Sequence, residues 1–264
     1  MKTSLKFLMV VMALVIIRCS EEKIEPAQLD EDPSTHMQSV YPSSVFAIEV
    51  TTIEGGRVEE DGTPQLTEFY LIGEGAKVSV NWGDGTIEKI TLGESRNYMG
   101  HQYSRFKNYT IQITGEISRI KTFGMFYQHI VVRNVYLSGL VNLVELRMGL
   151  NNQGPSVINF SHNSNIELIN IIDDNLTDVI IPSSNKLTGV ALSGSTGLST
   201  SVVDRIISRV YTSVQSSPRA GGFSLNASWY EESDEMVGPP SSYSITKLKK
   251  LRDVYGWSFT PNPE

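Results

Sequence analysis

The sequence holds one cysteine, Cys19, so no disulfide can form within the chain and its stability has to come from packing and backbone pairing. Histidine is almost as scarce. His36, His101, His129 and His162 stand at no spacing such as H-x-x-x-H, which argues against a zinc site. There is no G-x-S-x-G elbow for a nucleophilic serine and no G-x-x-x-x-G-K-[ST] loop for a phosphate. Clusters of Lys and Arg with interleaved aromatics are missing too, and with 22 Lys+Arg against 29 Asp+Glu the chain is a poor partner for nucleic acid. The apolar run at residues 7–17 is only eleven residues long. As a helix it would reach roughly 16 Å, about half of the ~30 Å hydrocarbon core, too short for a permanent transmembrane anchor.

That run fits a cleavable leader instead. Lys2 and Lys6 come before it, no acid occurs up to Arg18, and Cys19 follows directly, the order of a signal peptide over residues 1–18. Ile16-Ile17-Arg18-Cys19 resembles the lipobox of bacterial lipoproteins, departing from it at Arg18, where a small residue is usual. The resemblance implies cleavage before Cys19, lipidation of Cys19, and a membrane tether to which each buried CH₂ contributes about 0.8 kcal/mol. Cleavage would remove three basic residues and no acid, leaving 19 Lys+Arg against 29 Asp+Glu, a net of −10. Residues 19–41 carry Glu21, Glu22, Glu25, Asp30, Glu31 and Asp32 with Pro26 and Pro33, the composition of a solvated, acidic, flexible tether. The acidic pair after Cys19 resembles the surface-export signal of some Gram-negative lipoproteins. It implies an exported outer-membrane lipoprotein on the cell surface, with a periplasm-facing protein as the alternative.

From residue 45 the texture changes to short alternating apolar stretches at 45–51, 69–72, 78–82, 87–92 and 109–113, the pattern of a small antiparallel β-domain over residues 42–116. Trp82-Gly83-Asp84-Gly85-Thr86 is its sharpest signal, because Gly83, Asp84 and Gly85 can take the positive φ of a tight hairpin. With His101-Gln102-Tyr103 and Tyr109-Thr110-Ile111-Gln112-Ile113, this segment resembles the polycystin-type (PKD) repeat. That family has an immunoglobulin-like β-sandwich, and its members are typically spacers or binding modules of extracellular proteins.

Residues 117–264 contain a repeat. Leu143, Leu146 and Met148 are spaced L-x-x-L-x-L, and the spacing returns at Ile166, Ile169, Ile171 and at Leu187, Val190, Leu192, at periods of 23 and 21 residues. Six residues before each triplet stands Leu137, Phe160 or Ile181, with Val135, Ile158 or Val179 two residues earlier, which predicts two short strands per repeat. Asn151, Asp174 and Ser195 follow the triplets as residues able to bond turn backbone. The pattern resembles an irregular leucine-rich repeat of bacterial surface proteins over residues 117–200. A closing helix is expected at 201–215, with Ser201 and Asp204 as a capping box and Val203, Ile206, Ile207, Val210, Tyr211 and Val214 on one face. A second is expected at 244–255, with Ile245, Leu248, Leu251 and Tyr255 inward and Gly256 as its stop, and short strands at 222–225 and 257–259. The expected fold is therefore mainly β: a PKD-like sandwich, then a short leucine-rich-repeat-like solenoid closed by C-terminal helices.

Two facing carboxylates could make a glycosidase, with Asp84 and Glu88 or Asp173 and Asp174 as candidates. The simpler reading of both pairs is turn chemistry, so no catalytic residue, metal or cofactor is expected. Glu145, Arg147, Glu167 and Asn170 fill x positions of the repeat and are expected to point outward, as on the concave side of protein-binding leucine-rich repeats. Trp229 and Tyr230 open a long irregular loop of aromatic and acidic residues, a second candidate ligand surface. The resulting expectation is a membrane-tethered, non-enzymatic recognition or adhesion lipoprotein that binds protein or glycan through its repeats. A carbohydrate-handling lipoprotein, binder or hydrolase, and a structural envelope component stay open as alternatives.

Overall fold

The structure, a computed structural model, describes residues 41–52, 66–126, 130–150, 154–172, 175–195, 197–227 and 236–262. The expected leader, Cys19, the expected tether up to residue 40, Asn151, Asp173, Asp174, Trp229 and Tyr230 lie outside them. Among the described residues the chain is mainly β, with three sheets, no barrel and two helices.

Six antiparallel strands come first: β1 (Phe46–Thr51), β2 (Leu66–Ile72), β3 (Lys77–Asn81), β4 (Ile87–Thr91), β5 (Asn97–Gln102) and β6 (Asn108–Gly115). Alternation makes them strands. Val78 and Val80 of β3 and Tyr109, Ile111 and Ile113 of β6 point into the core while their neighbours stay at least partly exposed. The expected hairpin joins β3 to β4, with Gly83 at φ 85° and Gly85 at φ 102°. Gly83 is doubly constrained, because a Cβ there would also lie 2.7 Å from the carbonyl oxygen of Thr110.

The later strands are β7 (Thr122–Phe126), β8 (Val131–Tyr136), β9 (Glu145–Gly149), β10 (Val157–Asn159), β11 (Leu168–Ile172), β12 (Asp178–Ile180), β13 (Gly189–Ser193), β14 (Gly222–Ser224) and β15 (Ser258–Thr260). The three triplets of the sequence repeat supply β9, β11 and β13, paired in parallel with Leu146, Ile169 and Val190 in register. The parallel stack is longer than those triplets. It runs β7-β9-β11-β13-β14-β15, and β7 carries the same spacing in Ile120, Phe123 and Met125, 23 residues before Leu143.

The boundary expected at residues 116 and 117 is crossed by backbone pairing on both sides. β7 pairs with β2, so one eight-stranded sheet runs β15-β14-β13-β11-β9-β7-β2-β5. β8 pairs with β1, extending the other sheet as β4-β3-β6-β1-β8. The core is continuous across the same line: the ring of Phe123 meets Phe46 at 4.9 Å and Phe69 at 6.1 Å between centroids. The second expected strand of the later repeats forms the two-stranded parallel sheet β10-β12.

Helix α1 (Thr200–Ser216) packs on β12 and on α2 (Ser242–Tyr255), burying Val203, Ile206, Ile207, Val210 and Val214. Its cap differs from the expected Ser201–Asp204 box. Ser199 is the N-cap, accepting from Val202 N, and Asp204 instead accepts from the backbone N–H of Ser241, the residue that caps α2. Leu248 and Leu251 of α2 are buried, Ile245 and Tyr255 only half so, and Ser244 takes a fully buried place. Gly256 ends α2 at φ 74°, the left-handed stop expected of it. Ser195 is buried and its hydroxyl has no partner among the described residues, so its backbone carbonyl, bonded by Leu198 N, does the turn bonding expected of the side chain.

Candidate functional site

The outer face of the eight-stranded sheet gathers the polar and aromatic residues that the core does not use. Period-two alternation and the strand register align them in rows. One row reads Tyr98, Tyr70, Gly124, Arg147, Asn170, Ala191, Ser224 and Thr260 across β5, β2, β7, β9, β11, β13, β14 and β15. Flanking it toward one end are Glu145 and Leu168, partners in register, and toward the other Phe126, Gly149 and Ile172.

Glycine makes this face flat. A Cβ on Gly124 would lie 2.1 Å from the ring of Tyr70, one on Gly149 2.9 Å from Phe126, and one on Gly189 2.5 Å from Leu168. Each large side chain therefore lies down over the glycine of the next strand instead of standing off the sheet. The rings of Tyr70 and Phe126 are 17° from parallel with centroids 6.5 Å apart, and Tyr98 packs on Tyr70 at 5.5 Å. Tyr70 is buried beneath this cluster, whereas Tyr98 at the sheet edge is 59% exposed.

Charged groups border the floor. The Arg96 guanidinium sits 4.9 Å from the centre of the Tyr70 ring and donates to the Tyr98 hydroxyl at 3.4 Å. Arg147 donates to Glu145, and Thr122 donates to the same carboxylate at 3.4 Å. Burial pushes the Tyr70 phenol above its ordinary pKa; Arg96 opposes the rise, Glu145 adds to it, and Arg147 again opposes it. Of the four repeat residues expected on an outward surface, Glu145, Arg147 and Asn170 come together here. Glu167 does not: it precedes β11 in register with Val144, at the bend where its backbone N–H bonds the Val144 carbonyl.

Asp84 and Glu88 part company. Asp84 accepts from Thr86 N at 2.9 Å and meets His101 Nε2 at 2.8 Å, while Glu88 stands exposed on β4 opposite Val80. Partial burial pushes the Asp84 carboxyl upward, but the hydrogen bonds from Thr86 and His101 outweigh it and hold the pKa at about 2. His101 also stacks on Trp82, 18° from parallel at 5.0 Å, and Tyr103 donates to the Trp82 carbonyl at 2.9 Å. Asp84 and His101 thereby fasten the hairpin to β5. No group of three or more metal-ligating side chains stands together among the described residues, and no helix there is long and apolar enough to cross a membrane.

Sequence reasoning missed Tyr70, Tyr98, Arg96 and Phe126. The I-x-x-F-x-M spacing at Ile120 was the available signal for β7 and hence for the outward place of Phe126. No protein-family model, no curated protein and no solved structure matches the chain significantly.

Proposed function

We propose that this chain is a non-enzymatic recognition protein, tethered to a membrane by lipid on Cys19, that binds its partner on the outer face of the eight-stranded sheet. One observation carries the reading: the face sets the exposed ring of Tyr98 and the half-buried Phe126 beside Arg96, Glu145, Arg147 and Asn170, above a bed kept flat where the buried Tyr70 lies over Gly124. Flat apolar area with a few placed polar groups is the composition of a binding surface. The PKD-like and leucine-rich-repeat-like identities of the two segments belong to the same proposal. The Trp82-Gly83-Asp84-Gly85 hairpin supports the first, and parallel pairing of strands that recur every 21 to 23 residues supports the second. Display at the cell surface rests on the leader, Cys19 and the acidic residues after it.

The test is attachment of intact cells to surfaces coated with matrix proteins and with glycans. Cells carrying the wild-type chain should attach better than cells lacking it. Arg147→Ala combined with Asn170→Ala should remove the difference, and Lys89→Ala on β4 should not. Wild-type cells that attach no better than cells lacking the chain would overturn the reading.

A further inference from the structure

We infer that an outward stripe of α2 docks on the anionic phospholipid surface of the membrane that holds the lipid tether. The inference rests on the tether reading above and adds to it a second, weaker membrane contact. Three observations select the stripe and its occupant.

The first is shape. Ser244, Leu248 and Leu251 bury one side of α2. Tyr243, Lys247, Lys250 and Val254 stand at i, i+4, i+7 and i+11, which lines them up on another side of the helix. Tyr243 is 69% exposed and Val254 68%, the two most exposed large hydrophobics among the described residues. The ammonium of Lys247 lies 4.2 Å from the centre of the Tyr243 ring and donates to Ser208 Oγ of α1 at 2.7 Å, so these side chains form one surface.

The second is charge. In a chain of net −7, α2 carries Lys247, Lys249, Lys250 and Arg252 against Asp253 alone. Asp253 is taken by Arg252 at 2.9 Å, and Asp204 of α1, at the start of α2, accepts from Ser241 N at 3.0 Å. None of the three lysines has a carboxylate partner among the described residues. Lipid phosphates complement that charge, and each lysine near an anionic bilayer contributes about fivefold to binding. Val254 and the Tyr243 ring suit the depth just below the phosphates, where a phenol and the apolar stems of lysines keep their polar ends in water.

The third is reach. A flexible chain as long as residues 19–40 spans roughly 26 Å on average. Lipid on Cys19 would hold the folded residues within that reach of the bilayer, so a contact too weak to recruit a free protein becomes intramolecular. An acidic protein would match the lysines as well, but only the bilayer is held beside them by the chain itself. α2 packs on α1, and α1 on β12 of the two-stranded sheet, so a docked α2 leaves the outer face of the eight-stranded sheet free.

The experiment uses the full lipidated chain in vesicles of phosphatidylcholine, alone or mixed with phosphatidylglycerol. With lipid on the Cys19 sulfur, Val254→Cys supplies the only free thiol, which takes a polarity-sensitive fluorophore. Ile87→Cys on β4, 59% exposed in the native chain, is the control position. On the mixed vesicles the probe at residue 254 should shift to the blue and brighten several-fold, and the probe at residue 87 should not. Lys247→Gln with Lys250→Gln should weaken docking about twenty-five-fold and return the probe to its emission on neutral vesicles, with far-UV circular dichroism unchanged. Equal emission on both vesicles, or a gain that survives the two substitutions, would overturn the inference. Brightening with soluble poly-glutamate but not with phosphatidylglycerol would also overturn it and make an acidic protein segment the occupant. One label per chain with no gain leaves the tether standing and removes the docking. A second label, on Cys19, would show that this residue carries no lipid, and the tether reading falls with the docking.

Discussion

The ring of Tyr70 occupies the space that a side chain on Gly124 would need: a Cβ built there falls 2.1 Å from the ring carbons of Tyr70. Tyr70 has little room to retreat, since Tyr98 and Phe126 flank it and Arg96 lies over it. Gly124→Ala should therefore destabilise the protein by about 1–3 kcal/mol, the usual cost of overpacking. In Tyr70→Ala/Gly124→Ala the clash is gone, so the double variant should be more stable than the sum of the single effects predicts. Urea unfolding of the four proteins measures the coupling. Strict additivity would mean that the two residues do not compete for space.

Asp84 sets an acid limit on the hairpin. Its folded pKa, about 2, lies below the ordinary 3.8, so the stability it adds is present above pH 3.8 and is lost as pH falls through 2. Because the group is partly exposed, the shift is discounted for screening, to about 1 kcal/mol. Thermal midpoints of wild type should fall between pH 4 and pH 2 by more than those of Asp84→Asn, which has no proton to take up. Parallel curves for the two proteins would show that the His101 and Thr86 bonds do not stabilise the ionised carboxylate.

Arg219 joins the end of α1 to the third repeat. Its guanidinium donates to the carbonyls of Leu187 at 2.7 Å, Ser217 at 2.9 Å and Asn185 at 3.3 Å, and to the Ser213 hydroxyl at 3.1 Å. Its own carbonyl accepts from the Trp257 indole at 2.8 Å. Arg219→Ala leaves partly buried acceptors without a donor and should cost about 2–4 kcal/mol in urea unfolding. Arg219→Lys should recover only part of this, because an ammonium lacks the planar fork. Full recovery by Lys would reduce the role of Arg219 to charge alone.

Much of this fold was legible because its information is local. Alternation marks β3 and β6, helical spacing marks α1 and α2, and Gly256 marks its own stop. The union of the two segments was not, since β1 with β8 and β2 with β7 pair residues fifty or more positions apart and leave no periodic trace. β5 escaped for a different reason: in Asn97–Gln102 only Met99 is buried, so no alternation shows. The site divides along the same line. Glu145, Arg147 and Asn170 lie in two successive repeats and could be placed from their spacing, whereas Tyr70 and Tyr98 join them only through the pairing of β2 with β7 and β5. The value of Gly124 and Gly149 is visible only once their neighbours' rings are in place.

Asn163 offers a test of the repeat corner that does not depend on size. It is fully buried, its amide nitrogen donates to the carbonyls of Leu137 at 3.1 Å and Leu140 at 2.7 Å, and its amide oxygen has no partner among the described residues. What the corner needs is therefore a donor, and Asn163→Asp keeps the shape while removing it. At neutral pH the substituted carboxylate would face two carbonyl oxygens in a buried place, a cost of about 3–5 kcal/mol. Burial and the nearby oxygens raise the folded pKa of such a carboxyl, so the neutral form returns as pH falls through that raised value and brings one O–H donor with it. Asn163→Asp should thus gain stability relative to wild type between pH 7 and pH 5, whereas Asn163→Ala, with no proton to bind, should keep a constant deficit. Chemical denaturation at the two pH values reads the difference. An Asp variant whose deficit stays flat would mean that the corner admits water and that the two carbonyls do not depend on Asn163.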